Sequence, residues 1–170
     1  ATAGVKLLRT GVNGISLILY SVLKGCRCGW LTDPRRRCRC SSTQIQRYLS
    51  KISGPLLDRI DLHIDVPAVP FDALTRAPEG EPSAQIRARV QRAIAFRRTR
   101  HQSHPNSQLR TKDLKTFCPM PLEAVTLLKS AIQELDLSAR SYTKILKISR
   151  TIADLASSHD ILPEHIAEAI

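Results

Sequence analysis

Four of the chain's five cysteines fall in two pairs, Cys26-Arg27-Cys28 and Cys38-Arg39-Cys40, with nine residues between them. A fold of this region must either bring the pairs together or leave four thiols in one loop. Thiolates are strong zinc ligands, and four of them complete a closed tetrahedral structural site. Two close pairs bracketing a loop are a usual form of such a clip. The spacing therefore predicts zinc at Cys26, Cys28, Cys38 and Cys40, against four reduced thiols or a disulfide pair. Surrounding arginines lower thiol pKa values and favour the metal-binding form. Cys118, beside Phe117, reads as a buried small hydrophobe.

The clip encloses Asp33-Pro34-Arg35-Arg36-Arg37. Arg35, Arg36 and Arg37 are candidates for phosphate contact, as in nucleic-acid binding; a solvated charge run is the plainer alternative. Charge is concentrated here. Residues 24–60 hold nine Lys/Arg against Asp33 and Asp58, a net +7 of the chain's +11, whereas residues 61–170 hold 15 basic and 13 acidic residues, a net +2. Such a balance suggests a polyanion as partner: DNA, nucleotide phosphates or an acidic surface.

A length of 170 residues allows one domain, or the end of one with a small second. The apolar fraction of 42% is that of an ordinary soluble globular protein, and the 4% of aromatics makes any core mostly aliphatic. The apolar run over 15–23 is shorter than the ~20 residues a membrane span needs, and no convincing leader frames it. The odd cysteine count argues against a secreted disulfide framework. These features predict a cytoplasmic protein without membrane attachment.

Along the chain, 15–23 reads as a buried strand bounded by Gly14 and Gly25, and 26–41 as a loop. Ser42 or Thr43 caps a short helix with Ile45, Tyr48, Leu49 and Ile52 on one face. Pro55 opens a further helical turn through Leu56 and Leu57. Then the period changes: Ile60, Leu62, Ile64 and Val66 alternate with Asp61, His63 and Asp65, a strand with one buried face. Residues 75–83 read as a linker. From Ser83 the pattern is helical: Ser83 caps a helix with a stripe at Ile86/Val90/Ala93/Ile94, and a break over 101–106 and a helix from about Pro121 follow. A longer helix is capped by Ser138, and a last one is opened by Pro163. One apolar stripe per helix suffices for a small bundle.

Several strings are distinctive: Cys28-Gly29-Trp30-Leu31-Thr32-Asp33-Pro34, Cys38-Arg39-Cys40, Gln46-Arg47-Tyr48 and Ser53-Gly54-Pro55-Leu56-Leu57-Asp58-Arg59-Ile60-Asp61-Leu62-His63. They closely resemble the magnesium-chelatase-like AAA+ ATPases of the competence-protein ComM type. Leu137-Ser138-Ala139-Arg140-Ser141-Tyr142 and Arg150-Thr151-Ile152-Ala153-Asp154-Leu155 resemble the C-terminal helical domain of the same family. The resemblance covers about residues 26–170.

It implies an α+β chain from the C-terminal part of such a protein: the edge of an AAA+ α/β core followed by an α-helical lid bundle. Residues 1–25 stay unmatched, 26–74 form the C-terminal part of the core with a Cys-rich insertion, 75–83 the linker and 84–170 the lid. In the family, Pro-Leu-Leu-Asp-Arg supplies an arginine finger, here Arg59, to ATP in the neighbouring subunit. Such fingers are worth about 10³–10⁵ in rate; the plain alternative pairs Arg59 with Asp58 or Asp61. Arg140 falls where the family has its sensor 2 arginine, and Arg150 is a weaker candidate, paired with Asp154 at i,i+4. ATP and Mg, a homo-oligomeric ring of AAA+ subunits (a hexamer) and action on DNA follow by the same resemblance.

The chain departs from the pattern in two ways. It contains no G-x-x-x-x-G-K-[ST] and no apolar strand ending in paired acids, and Lys24 stands where the family has its sensor 1 Asn. The expectation is therefore part of an ATPase, inactive alone, that supplies finger, clip and lid. Two alternatives stand beside it: a zinc-clipped basic nucleic-acid-binding module without ATPase activity, and a non-functional fragment.

Overall fold

The computed structural model describes residues 5–10, 16–21, 25–31, 33, 36–57, 60–62, 64, 66, 69 and 80–170. The chain divides into two compact units, Ala1–Arg76 and Ala77–Ile170.

In the first unit β1 (Val5–Thr10) pairs antiparallel with β2 (Ser16–Ser21), Leu8 opposite Ile18 and Val5 opposite Ser21. β2 occupies the middle of the apolar run expected as a strand. Its partner β1 was not anticipated. Among the described residues these two strands form a two-stranded sheet of their own, and the expected edge of a larger core is not seen. Helix α1 spans Ser42–Leu49. Its cap is Ser41, one residue earlier than expected. The reason is Gln44: its backbone N–H donates to Ser41 Oγ at 3.3 Å while its Oε1 accepts from the Ser41 N–H at 3.1 Å, and this reciprocal box closes only from the residue three before the glutamine. The single turn α2 follows at Gly54–Leu57, with Pro55 in the first turn, where a missing N–H costs nothing.

The strand expected over 60–66 is not formed at its described residues. Ile60, Asp61, Leu62, Ile64 and Val66 belong to no regular element, and Leu62, Ile64 and Val66 are exposed. Alternation makes a strand only when a neighbouring strand takes up its backbone hydrogen bonds. Among the described residues β1 and β2 pair with each other instead.

The second unit is helical. Helix α3 (Ser83–Thr99) begins at Ser83 itself rather than after it. Its apolar stripe is only partly used: Ala93, Ile94 and Phe96 are half-buried, while Ile86 and Val90 stay exposed. A break at His101, whose φ is 56°, leads to a 3-10 turn at Asn106–Gln108 and to α4 (Thr111–Phe117). That helix has one buried residue, Leu114, too little for a legible period. Helix α5 (Leu122–Glu134) buries Ala124 and Leu128. Helix α6 (Ala139–Leu155) is the centre of the bundle and packs against α3, α4, the 3-10 turn and α7 (Pro163–Ala169). The core is aliphatic, as the composition predicts: Leu109, Leu114, Leu128, Ile145, Leu146, Ile161 and Ile166 with Ala124, Ala153 and the buried Cys118. The Ile161 N–H donates to Pro119 O at 2.9 Å, which ties the α6–α7 connection to the segment entering α5.

Candidate metal clip and lid helix

Chain reversal after Cys26 depends on Gly29. Its φ of 82° lies in the left-handed region that favours glycine, and its N–H donates to Cys26 O at 3.1 Å. The turn points Cys26 and Cys28 at the same place, and the chain returns from Arg36 to bring Cys38 and Cys40 there too. Sulfur–sulfur distances are 3.2 Å for Cys26–Cys28, 3.5 Å for Cys28–Cys38 and 3.7 Å for Cys26–Cys38. All four sulfurs lie within 4.8 Å of one another, and none is in a disulfide. Four thiolates each about 2.3 Å from one zinc ion would sit about 3.8 Å apart. Donor type, number and spacing therefore fit a tetrahedral zinc.

The thiols share their protons unequally. The Trp30 backbone amide, helped by the Cys26 thiol, pulls Cys28 down to about 6. At Cys38 the Cys40 amide, 3.4 Å from its sulfur, works downward, but desolvation and hydrogen bonds with Cys28 and Cys26 outweigh it and push this thiol up to about 12. Cys40 is likewise raised: the Cys28 amide opposes, and the Cys28 sulfur and desolvation prevail. Cys28 is thus the readiest of these three to lose its proton, and a metal entering the cluster displaces protons from Cys38 and Cys40.

Beside the cluster is an open cleft of about 460 Å³ lined by Cys28, Trp30, Arg36, Arg37 and Arg39. Arg36 and Arg37 are exposed; Arg35, Arg59 and Lys24 lie outside the described residues.

Arg140 is the second residue of α6. Its turn is capped by Ser138, whose Oγ accepts from the Ser141 N–H at 3.1 Å. The side chain is exposed at the helix end whose free N–H groups and dipole favour an anion.

Arg150 does pair with Asp154 as its i,i+4 spacing predicts, with Nε 3.1 Å from Oδ1, but it is fully buried and faces the bundle interior. Its guanidinium also donates to the Ser158 and His159 carbonyls at 2.6 and 2.7 Å. Sequence reasoning missed the rest of this network. Arg100 pairs with Asp154 from α3's C-cap, Nη2 to Oδ2 at 3.1 Å, and Asn106 Nδ2 donates to Oδ2 at 2.8 Å. Gln102 joins Arg100 to Asn106. Burial, with Arg100 repulsion, lowers the Arg150 pKa against the pull of Asp154.

The sequence of the second unit, from 80 to 170, matches the family described as magnesium chelatase, subunit ChlI C-terminal. Residues 15–74 match magnesium chelatase, subunit ChlI. The chain belongs to the magnesium-chelatase-like AAA+ ATPase family. Among curated relatives it is 41% identical over 133 residues to Competence protein ComM of Haemophilus influenzae, which covers 78% of this chain and 26% of the relative. The same coverage holds for Uncharacterized protein YifB of Escherichia coli at 36% identity. An uncharacterized protein of Mycobacterium tuberculosis is 31% identical over 141 residues, 81% of this chain and 28% of the relative. The chain thus spans about a quarter of the length of the curated relatives it matches. Among the described residues no helix is long and apolar enough to cross a membrane.

Proposed function

We propose that this chain is the part of a magnesium-chelatase-like AAA+ ATPase that completes a nucleotide site held by another subunit and carries a structural zinc of its own. The four converging sulfurs are the observation that carries the zinc. Family membership, with the Pro55-Leu56-Leu57-Asp58-Arg59 string, supports the rest.

In this reading ATP and Mg supply the phosphoryl-transfer chemistry and are bound by the neighbouring chain. Arg59, always charged and able to fork onto phosphate oxygens, stabilises charge on the transferring group in trans. Arg140 contacts phosphates from the first turn of α6, where helix dipole and side-chain charge add. The assembly is a homo-oligomeric ring, a hexamer, in the cytoplasm, and its work is linked to DNA.

Zinc content tests the clip. Chain purified without chelator should retain about one zinc ion per molecule by elemental mass spectrometry, and Cys28→Ser with Cys38→Ser should retain none. Retention of metal by the double variant would refute the assignment.

A second reading rests on the cleft lined by Arg36, Arg37 and Arg39. The clipped loop, with Arg35, Arg36 and Arg37, binds nucleic acid through its phosphates. Replacing these arginines by Ala should lower affinity for DNA and flatten its salt dependence; unchanged binding counts against it.

A further inference from the structure

The basic loop carries one residue that phosphate binding does not need. Trp30 is the chain's single tryptophan. It is 37% exposed and lines the same cleft as Arg36, Arg37 and Arg39. Folding normally hides an indole, yet this one stays at the surface. Its position is fixed from behind. The Trp30 amide is held by the Cys28 sulfur, its carbonyl accepts from the Asp33 N–H at 3.4 Å, and the Arg36 guanidinium lies 4.4 Å from the ring centroid. The result is a planar indole–guanidinium pair pinned to the metal clip and flanked by two further cations.

The geometry points to a stacking platform for an unpaired nucleobase: the loop takes single-stranded nucleic acid, with Trp30 and Arg36 receiving a base and Arg37 and Arg39 the adjacent phosphates. This rests on the second reading above and deepens it. Every base has a π-face, so aromatic and guanidinium planes bind strands without needing a sequence, while arginines track the backbone. A duplex presents phosphates but keeps its base faces stacked; it would use the arginines and leave the indole idle.

Trp30 reports on itself, because its emission is the only tryptophan signal of the chain. The zinc-loaded chain would be titrated with an oligothymidylate of about ten nucleotides, its ribo-counterpart oligouridylate, a duplex of equal length and inorganic polyphosphate. Single strands should quench Trp30, and polyphosphate should bind without quenching. Quenching by the deoxy or the ribo strand alone would identify the strand while supporting the platform. By fluorescence anisotropy of labelled oligothymidylate, Trp30→Ala should weaken binding about tenfold, Trp30→Phe should keep most of it, and polyphosphate affinity should not move in either. Equal zinc content in all variants ensures that the clip is intact. The inference is overturned if polyphosphate quenches as strongly as the oligonucleotide, if Trp30→Ala binds it as the unchanged chain does, or if duplex is preferred. Polyphosphate binding without any base effect removes the platform and leaves the basic-loop reading standing. Binding of no polyanion, or binding indifferent to Arg36→Ala, Arg37→Ala and Arg39→Ala together, removes both.

Discussion

Asp154 is 3% exposed, and its two carboxylate oxygens take donors from Arg100, Arg150 and Asn106. One buried negative charge holds the buried Arg150 and the largely covered Arg100. Making it neutral as Asp154→Asn leaves two guanidinium groups facing each other in the bundle, and breaking a buried pair in this way costs about 3–5 kcal/mol. Urea unfolding should show that loss, while Leu122→Ala, at a side chain 80% exposed, should stay within about 0.5 kcal/mol. The i,i+4 half of the network was legible, because helical spacing alone brings Arg150 to Asp154. Arg100 was not, since nothing in the pattern ties it to a residue 54 positions away. The clip cysteines add a pH effect. Zinc must displace protons from Cys38, held up at about 12, and from the raised Cys40, while Cys28 at about 6 is already a thiolate at neutral pH. Binding should therefore release protons. Affinity should fall as pH drops, steeply below about 6, where Cys28 too is protonated. Zinc titrations monitored with a pH indicator in weak buffer should acidify; an unchanged pH would contradict the proton assignment.

Among the elements, α6 organises the lid. Its apolar period and Ser138 cap were both readable, as were α5 and the proline start of α7. Truncating the cap as Ser138→Ala should cost about 1 kcal/mol, read as a lower urea midpoint with an unchanged slope. A null effect would mean that packing of Ile145 and Leu146 alone fixes the helix. The alternation over 60–66 misled because a period of two states which face would be buried, not whether a partner strand exists. Exposed Leu62, Ile64 and Val66 are the consequence. The short α4 escaped notice for the opposite reason, with one buried leucine and no repeat to count. For the clip, spacing nominated the four ligands, whereas the indole–guanidinium pair beside them depends on a turn that only coordinates reveal.

At the scale of the whole molecule, the proposed role is to complete an ATP site held by a neighbouring subunit. The Pro55-Leu56-Leu57-Asp58-Arg59 string is the feature that motivates this role. The most direct measurement is ATP turnover in a mixed assembly. A full-length family member would carry Ala in place of the arginine that aligns with Arg59, and this chain would be titrated in. The unchanged chain should raise hydrolysis by a large part of the ~10³–10⁵ that arginine fingers supply, Arg59→Ala should not, and the chain alone should show no turnover. Equal stimulation by the two forms, stimulation by neither, or hydrolysis by the isolated chain would contradict the account.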